Sequence, residues 1–235
     1  MDRYYSHEDR QLVAVDCVIF GFDDQELKLL LIKRNMEPAK GLWSLPGGFP
    51  KKDEGLDQAA ERVLSQLTGL KNVYLEQLYA YGDVDRDPGE RVVSVAYCSL
   101  IKIADYDKDL VKENNAHWRP VIDLPDLVFD HLVMVEKAMR RLRRRARTQP
   151  IGFELLPGKF TMPQLQSLYE AIYQKELDKR NFCKKMLSMR MLDKLDEKDK
   201  STSKKGAFLY RFNPEKYEQL LAEGFYFTVD VKTKK

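Results

Sequence analysis

Residues 35–70 constrain the fold more than any other part of this 235-residue chain. They join a loop punctuated by Pro38, Gly41, Pro46, Gly47 and Gly48 to a segment with helical spacing. Over residues 56–68, Leu56, Ala60, Val63, Leu64 and Leu67 fall on one side of a helix, and Gly69 is a natural stop. Upstream, residues 12–20 (LVAVDCVIF) and 27–33 (LKLLLIK) read as strands flanking an FDDQE turn. Further strands are expected near 73–82 and 91–103, and a helix from about 130 to 147. Strands interrupted by one short helix suit an α/β sandwich.

The pattern changes after Pro150. Residues 162–174 have Leu165, Leu168, Tyr169 and Ile172 at helical spacing. Thr161 is placed to cap them, with Gln164 three residues on and Pro163 in the first turn. A short break precedes Asp178, which is placed to cap a second helix over Lys179–Leu192, with Phe182, Met186, Leu187 and Met189 inward. Two short helices about one break form the outline of a helix-turn-helix. The polar stretch 193–206 and the strand AFLYRF then suggest a wing, a hairpin tipped with lysines. The sequence therefore divides into residues 1–148 and 149–235, the second part including an extension after Phe212 that carries no assigned role.

Charge supports the division. Residues 1–135 hold 16 Lys and Arg against 24 Asp and Glu, whereas residues 151–235 hold 17 against 12. A basic half is an electrostatic footprint for a polyanion. Lys179, Arg180, Asn181, Lys184 and Lys185 fall on the second helix, with Arg190 near its expected end, and Lys204 and Lys205 fall in the wing turn. Arg pairs bidentately with guanine and Asn with adenine, so Arg180 and Asn181 are the candidate base readers. Lys184, Lys185, Lys204 and Lys205 are the candidate phosphate contacts. A solvated basic face is the plain alternative for any one of them. The stretch RRLRRRAR (140–147) either flanks DNA or pairs with the acidic first half; the sequence does not choose.

In the first half, Asp83, Asp85, Arg86, Arg91 and His131 are candidates for binding hydroxyls or phosphates of a small effector. Local ion pairs in a charged hairpin loop, worth about 0–1 kcal/mol each, are the competing reading for the first four. A structural role competes for His131, as it does for His117. The three cysteines lie far apart with no metal-binding spacing, and the first ten residues show no apolar leader. No apolar run approaches the roughly 20 residues of a membrane span. A protein of the reducing cytoplasm, without membrane association, is expected.

From Gly48, the run GFPKKDEGLDQAAERVLSQLTGL resembles the signature of Nudix hydrolases, G-x5-E-x7-R-E-U-x-E-E-x-G-U, with U a bulky apolar residue. Gly48, Glu54, Arg62, Leu64, Gly69 and Leu70 match, but three carboxylate positions hold Val63, Gln66 and Leu67. Hard cations need oxygen ligands, preferably charged ones. Gln66 offers one neutral oxygen and Leu67 none. Asp57 and Glu61 remain one helical turn apart, either as a residual site or, as such acids more often are, as a solvated face.

LPGGF, DRDPGERVVSVAY, FDH, FTMPQLQSLYEAIY, LDKRNF and LYRF extend the resemblance to the Nudix-related transcriptional regulators. That resemblance implies a Nudix-like α/β/α sandwich followed by a winged helix-turn-helix domain. It implies a homodimer on double-stranded operator DNA, with the Nudix-like domain sensing a small molecule. No catalytic residue, metal or cofactor is expected. One branch of the family responds to ADP-ribose-like ligands. The arabinose-responsive branch is similar to this chain, so the implied effector is L-arabinose or a related sugar, ahead of ADP-ribose. The competing enzyme reading is a divergent hydrolase of ADP-ribose or a nucleotide sugar.

Overall fold

The computed structural model describes residues 7–200, 205–225 and 227–228. Its first part is built on β1 (Leu12–Phe22), β2 (Leu27–Lys33), two short strands β3 (Trp43–Ser44) and β4 (Gly47–Gly48), and the helix α1 (Leu56–Thr68). There follow β5 (Glu76–Tyr81), β6 (Val92–Lys102), α2 (Lys108–Glu113), β7 (Ala116–Pro120) and the long helix α3 (His131–Thr148). The strands form one seven-stranded mixed sheet, in which β1 pairs in parallel with β6 and antiparallel with β2 and β4. Both faces of β1 are covered, which explains its nearly unbroken apolar sequence. The two-residue strand period sends Val15, Cys17 and Ile19 to the α1 side and Val18, Phe20 and Phe22 to the α3 side. The α/β/α sandwich expected from the sequence is therefore the fold observed.

Helix α1 occupies the expected residues, and Gly69 ends it in the left-handed region (φ 77°), donating its N–H to the Ser65 carbonyl. The other segments expected as strands are strands, although β5 begins at Glu76 rather than 73. Helix α2 and strand β7 have no counterpart in the sequence reading. They are short and half-exposed, and β7 is specified by its pairing with β2 rather than by its own pattern.

The second part comprises β8 (Phe160–Thr161), α4 (Met162–Tyr173), α5 (Lys179–Ser188), β9 (Leu192–Asp199), β10 (Ala207–Phe212) and α6 (Pro214–Ala222). The strand order β8-β10-β9 with two helices before the hairpin is a winged helix. Thr161 and Gln164 form the expected capping box on α4, and Leu165, Leu168, Tyr169 and Ile172 are fully buried. Asp178 caps α5 by accepting from the Asn181 N–H at 2.8 Å. Three details differ from the sequence reading. Leu187, expected inward, is exposed on α5, where only Phe182 and Met186 are buried. Helix α5 stops at Ser188, not Leu192, because Arg190 takes a left-handed backbone (φ 56°) while Met189 and Met191 are buried. The polar stretch after it supplies strand β9, not only a turn; its backbone pairs with β10 while its charged side chains stay in water.

The segment after Phe212 also has structure. Asn213 caps α6 by accepting from the Lys216 N–H at 3.0 Å. Tyr217 packs on Phe212, with ring centroids 6.1 Å apart, and Phe212 stacks on Phe153 at 4.4 Å. Phe227 is buried in the same cluster. The extension thus closes the hydrophobic core of the winged helix. Among the described residues, no helix is long and apolar enough to cross a membrane.

Candidate effector cleft and operator interface

Arg62 ties the degenerate box together. Arg62 grips Glu54 with two hydrogen bonds (2.5 and 2.8 Å), donates to the Phe49 carbonyl at 3.0 Å and holds Gln66 at 3.1 Å. The Arg62 guanidinium, helped by the Lys51 N–H, draws the Glu54 carboxyl down to about 2. Asp57 is engaged as well, accepting from the Tyr97 hydroxyl at 2.5 Å. Among the described residues, no three His, Cys, Asp or Glu side chains converge as a metal site would require. With Val63, Gln66 and Leu67 at the missing positions, these residues do not fit the divalent ions of a Nudix hydrolase.

On the opposite face of the sheet, a charged network lies at the start of α3. Period-two alternation turns Asp16 of β1 toward that side, beside Ser94 of β6, whose hydroxyl donates to it at 2.5 Å. Gly47 makes room, since a Cβ there would lie 2.0 Å from Asp16 Oδ1. Arg86, from the loop between β5 and β6, is buried and forms a bidentate pair with Asp130 (2.7 and 3.0 Å). The same guanidinium lies 3.9 Å from Asp16. Burial draws the Arg86 pKa down, but Asp130 and then Asp16 outweigh it and hold the group above its usual value.

His131 completes the network. Its Nδ1 accepts from the Leu45 N–H at 3.1 Å, and its Nε2 faces Asp16 at 3.7 Å. An accepting Nδ1 places the proton on Nε2 of a neutral ring. Burial agrees with that assignment, because it depresses the pKa despite the nearby carboxylates. The Tyr81 hydroxyl is buried, pushed up to about 12 by desolvation and then by Asp130, and has no hydrogen-bond partner among the described residues. Phe129, just before Asp130, has φ 55°, an outlier for an aromatic residue and of the kind that clusters at functional sites.

Of the five effector candidates, Arg86 and His131 meet in this network. Asp83 and Asp85 are exposed on the loop, and Arg91 donates to the Asp83 carbonyl at 3.2 Å, so these three stay outside the network. Sequence reading missed Asp16, Asp130 and Tyr81. Asp16 carried a signal: a carboxylate in the middle of an otherwise apolar buried strand.

At the far end of α3, the RRLRRRAR stretch has divided roles. Arg141 and Arg145 pair with Glu76 of β5, and Arg140 pairs with Glu136. Arg143 reaches the second part of the chain: it donates to the Ile172 carbonyl at 3.2 Å and to the Gln174 side chain at the end of α4. A cleft of about 420 Å³ lies at this junction, bounded by Cys98, Arg141, Arg145, Ile151 and Leu155.

The turn between α4 and α5 is fixed by Glu170, which accepts from the Leu177 N–H at 2.8 Å, and by Gln166, which donates to the Leu177 carbonyl at 3.1 Å. Phe182 and Met186 anchor α5, Phe182 packing on Tyr169 at 5.5 Å. Lys179, Arg180, Asn181, Lys184 and Lys185 are all exposed. Among the described residues, none of these four cations has a carboxylate within 4.0 Å. Arg180, Asn181 and Lys184 lie on the side of α5 turned away from the anchors, and Lys185 lies on its flank. Lys205 is exposed in the wing turn, and Lys204 lies outside the described residues. The wing also presents Lys194 and Lys198, both above the exposed ring of Phe208 (3.8 and 4.5 Å), which sequence reading overlooked.

A sandwich with a degenerate box and a cationic winged helix defines a class: transcriptional regulators in which a Nudix domain is joined to a DNA-binding domain. The NUDIX domain model matches residues 10–140, and the NrtR DNA-binding winged helix domain model matches residues 152–212. The ADPR-responsive transcriptional repressor NtrR of Acinetobacter baylyi is 34% identical over 212 residues, covering 88% of this chain and 84% of that protein. The Shewanella oneidensis NrtR structure with a 27mer DNA superposes with a TM-score of 0.75 at 30% identity, covering 94% of this chain and all of that one. The NUDIX domain of the same Shewanella protein, complexed with ADP ribose, superposes with a TM-score of 0.50 at 37% identity, covering 60% of this chain and 94% of that one.

The chain belongs to the NrtR-type family of Nudix-related transcriptional regulators. It is a ligand-responsive regulator with a Nudix-like domain and a DNA-binding winged helix. The expected arabinose branch gains no support here, since the small molecule named for these relatives is ADP-ribose.

Proposed function

We propose that residues 1–148 form a non-catalytic sensor for an ADP-ribose-class effector and residues 149–235 an operator-binding module. The observation that carries this reading is α3. It begins in the Arg86–Asp130–His131 network and carries Arg143 further along, bonded to the end of α4 in the helix-turn-helix. An 18-residue helix spans about 27 Å, which lets one rigid element touch both the network and the helix-turn-helix. The likeness to the ADPR-responsive Acinetobacter repressor and to the Shewanella domain with ADP ribose supports the effector class. Asp16 and Asp130 accept hydrogen bonds from ribose hydroxyls, and the Tyr81 hydroxyl, without a partner among the described residues, has one to give. The box does not supply metal ligands, which favours sensing over hydrolysis.

On DNA, two copies would place their α5 helices in successive major grooves, with half-sites about 34–36 Å apart. Arg180 and Asn181 read base edges; Lys179, Lys184, Lys185, Lys204 and Lys205 hold phosphates. Effector binding shifts the dimer between a geometry that fits this spacing and one that does not. It does so only through unequal affinity for the two. The test is a gel shift on DNA from upstream of the neighbouring genes, with ADP-ribose and L-arabinose in separate lanes. A specific shift altered by ADP-ribose supports the proposal. A response to L-arabinose alone would move the effector to the sugar class, and the absence of any specific shift would overturn the regulator reading.

Two further expectations follow from the contacts. Lys205→Ala should weaken binding to every duplex alike and reduce the salt slope by about one; an unchanged slope would remove Lys205 from the phosphate contacts. Arg143→Ala should leave operator affinity in the absence of effector within about threefold, yet cut the effector-induced change, whose usual size is about 5–150-fold. Affinities measured by anisotropy with and without ADP-ribose give that ratio. An undiminished ratio would exclude Arg143 from the coupling.

A further inference from the structure

The fold uses only part of the basic stretch at the end of α3. Arg141 and Arg145 pair with Glu76, Arg140 lies 3.6 Å from Glu136, and Arg143 is bonded to the end of α4. Arg144 and Arg147 are exposed, and among the described residues neither has a carboxylate within 4.0 Å. With about 3.6 residues per turn, Arg140, Arg144 and Arg147 form one stripe, opposite the buried Ala138, Leu142 and Ala146. Like charges three and four residues apart on a helix repel one another. Glu136 and Glu76 relieve that repulsion for Arg140, Arg141 and Arg145, and a bound polyanion would relieve it for Arg144 and Arg147. A cation in the last turn also complements the helix dipole, but Arg145 already does so on the side turned to Glu76.

The stripe lies beside the reading head. Helix α3 packs directly on α4, and Arg143 holds the last turn of α4 through the Ile172 carbonyl and the Gln174 side chain. Arg147 is one turn further along α3. Burial pushes the Tyr173 hydroxyl up to about 12, and the charge of Arg147 opposes that rise, which places the guanidinium near the end of α4. Gln174 then takes a left-handed backbone (φ 53°) and turns the chain toward exposed Lys175 and, at the start of α5, Lys179 and Arg180. The free cations of α3 thus adjoin the turn that leads into α5.

A duplex carries about one negative charge per 1.7 Å of its axis, and the planar fork of a guanidinium matches phosphate oxygens. Packed helices lie about 8–10 Å apart, and α4 stands between α3 and α5. One to two such spacings correspond to about three to six base pairs. We infer that Arg144 and Arg147 form a second DNA contact, made by the last helix of the sensor part to phosphates outside the base pairs read by α5. The inference rests on the operator-binding reading above and extends its interface beyond the winged helix. One helix then carries groups at both sites, since α3 begins in the Arg86–Asp130 network.

The test compares the full-length wild type with the double variant Arg144→Gln, Arg147→Gln on the operator duplex, by anisotropy over a range of salt concentrations. The variant should bind more weakly, and its salt slope should fall by about two, one for each lost phosphate contact. Its base preference should stay the same, because backbone contacts carry no sequence information. Hydroxyl-radical footprints should lose protection about three to six base pairs from those read by α5. Lys71→Gln, an exposed change on the α1 side, removes a positive charge elsewhere and should leave slope and footprint unaltered. Both arginines are exposed, so the double variant should melt with the wild type and keep its oligomeric state by light scattering. An unchanged slope or an unchanged footprint would overturn the inference. A changed oligomeric state would also overturn it, by making the stripe an interface between copies. The two readings fail separately. A slope lowered on every duplex, in a protein that prefers no sequence, keeps the contact and removes the operator reading. A wild-type slope in a sequence-selective variant removes the contact alone.

Discussion

Arg86→Ala is expected to lower the stability of the chain by about 3–5 kcal/mol and to abolish its response to effector. The magnitude follows from what is left behind. Arg86 is buried, bonded twice to Asp130 and 3.9 Å from Asp16, so its removal leaves Asp130 and buried Asp16 without their cation. An uncompensated buried charge costs more than the pair contributed. For a chain of this size, each kcal/mol lowers the melting temperature by roughly 2–4 °C, so a fall of about 10 °C is expected. The double variant Arg86→Ala, Asp130→Ala should be less destabilised than the sum of the single changes, because the orphaned partner is gone. A melting temperature within about 2 °C of wild type would mean that water reaches the clamp and screens it.

Arg180→Ala is expected to weaken operator binding by about 1–3 kcal/mol, about 5-fold to 150-fold, and to relax preference at one base position. Its guanidinium is exposed on the first turn of α5, beyond the cap made by Asp178. The helix itself should be unaffected, since Phe182 and Met186 hold it from the other side. Binding to a set of operators mutated one base pair at a time distinguishes the roles. Loss concentrated at one position identifies a base reader, whereas equal loss on all sequences identifies a phosphate contact.

Much of this architecture was legible because its signals were local. The Thr161 and Asp178 caps, the left-handed Gly69 and the period-two core of β1 each depend on residues a few positions apart. The limits of α5 were not, because Arg190 leaves the helix under the burial of Met189 and Met191 rather than through a breaker residue. Strand β9 was hidden for a related reason. Its side chains are half-exposed and charged, and its pairing with β10 is a backbone property.

The effector network was half visible. Arg86 and His131 stood out as polar residues in polar segments, but their partner Asp130 lies 44 residues from Arg86 and reaches it only through the fold. Lys33 and Arg119, which lie over the Trp43 ring, were invisible as a group for the same reason, since the three meet only through the pairing of β2 with β3 and β7. The implied sugar effector came from resemblance and from the lost box acids, but a sensor that does not cleave its ligand needs no such acids for ADP-ribose either, so that pattern does not separate the two.

The most direct test of the account is reciprocal linkage between the two sites. ADP-ribose affinity would be measured by calorimetry on the free protein and on the protein saturated with operator, and operator affinity with and without saturating ADP-ribose. If the two sites are coupled, both affinities must change by the same factor, about 5–150-fold. Equal ADP-ribose affinity in the free and operator-bound states would contradict the account, however tightly either ligand binds.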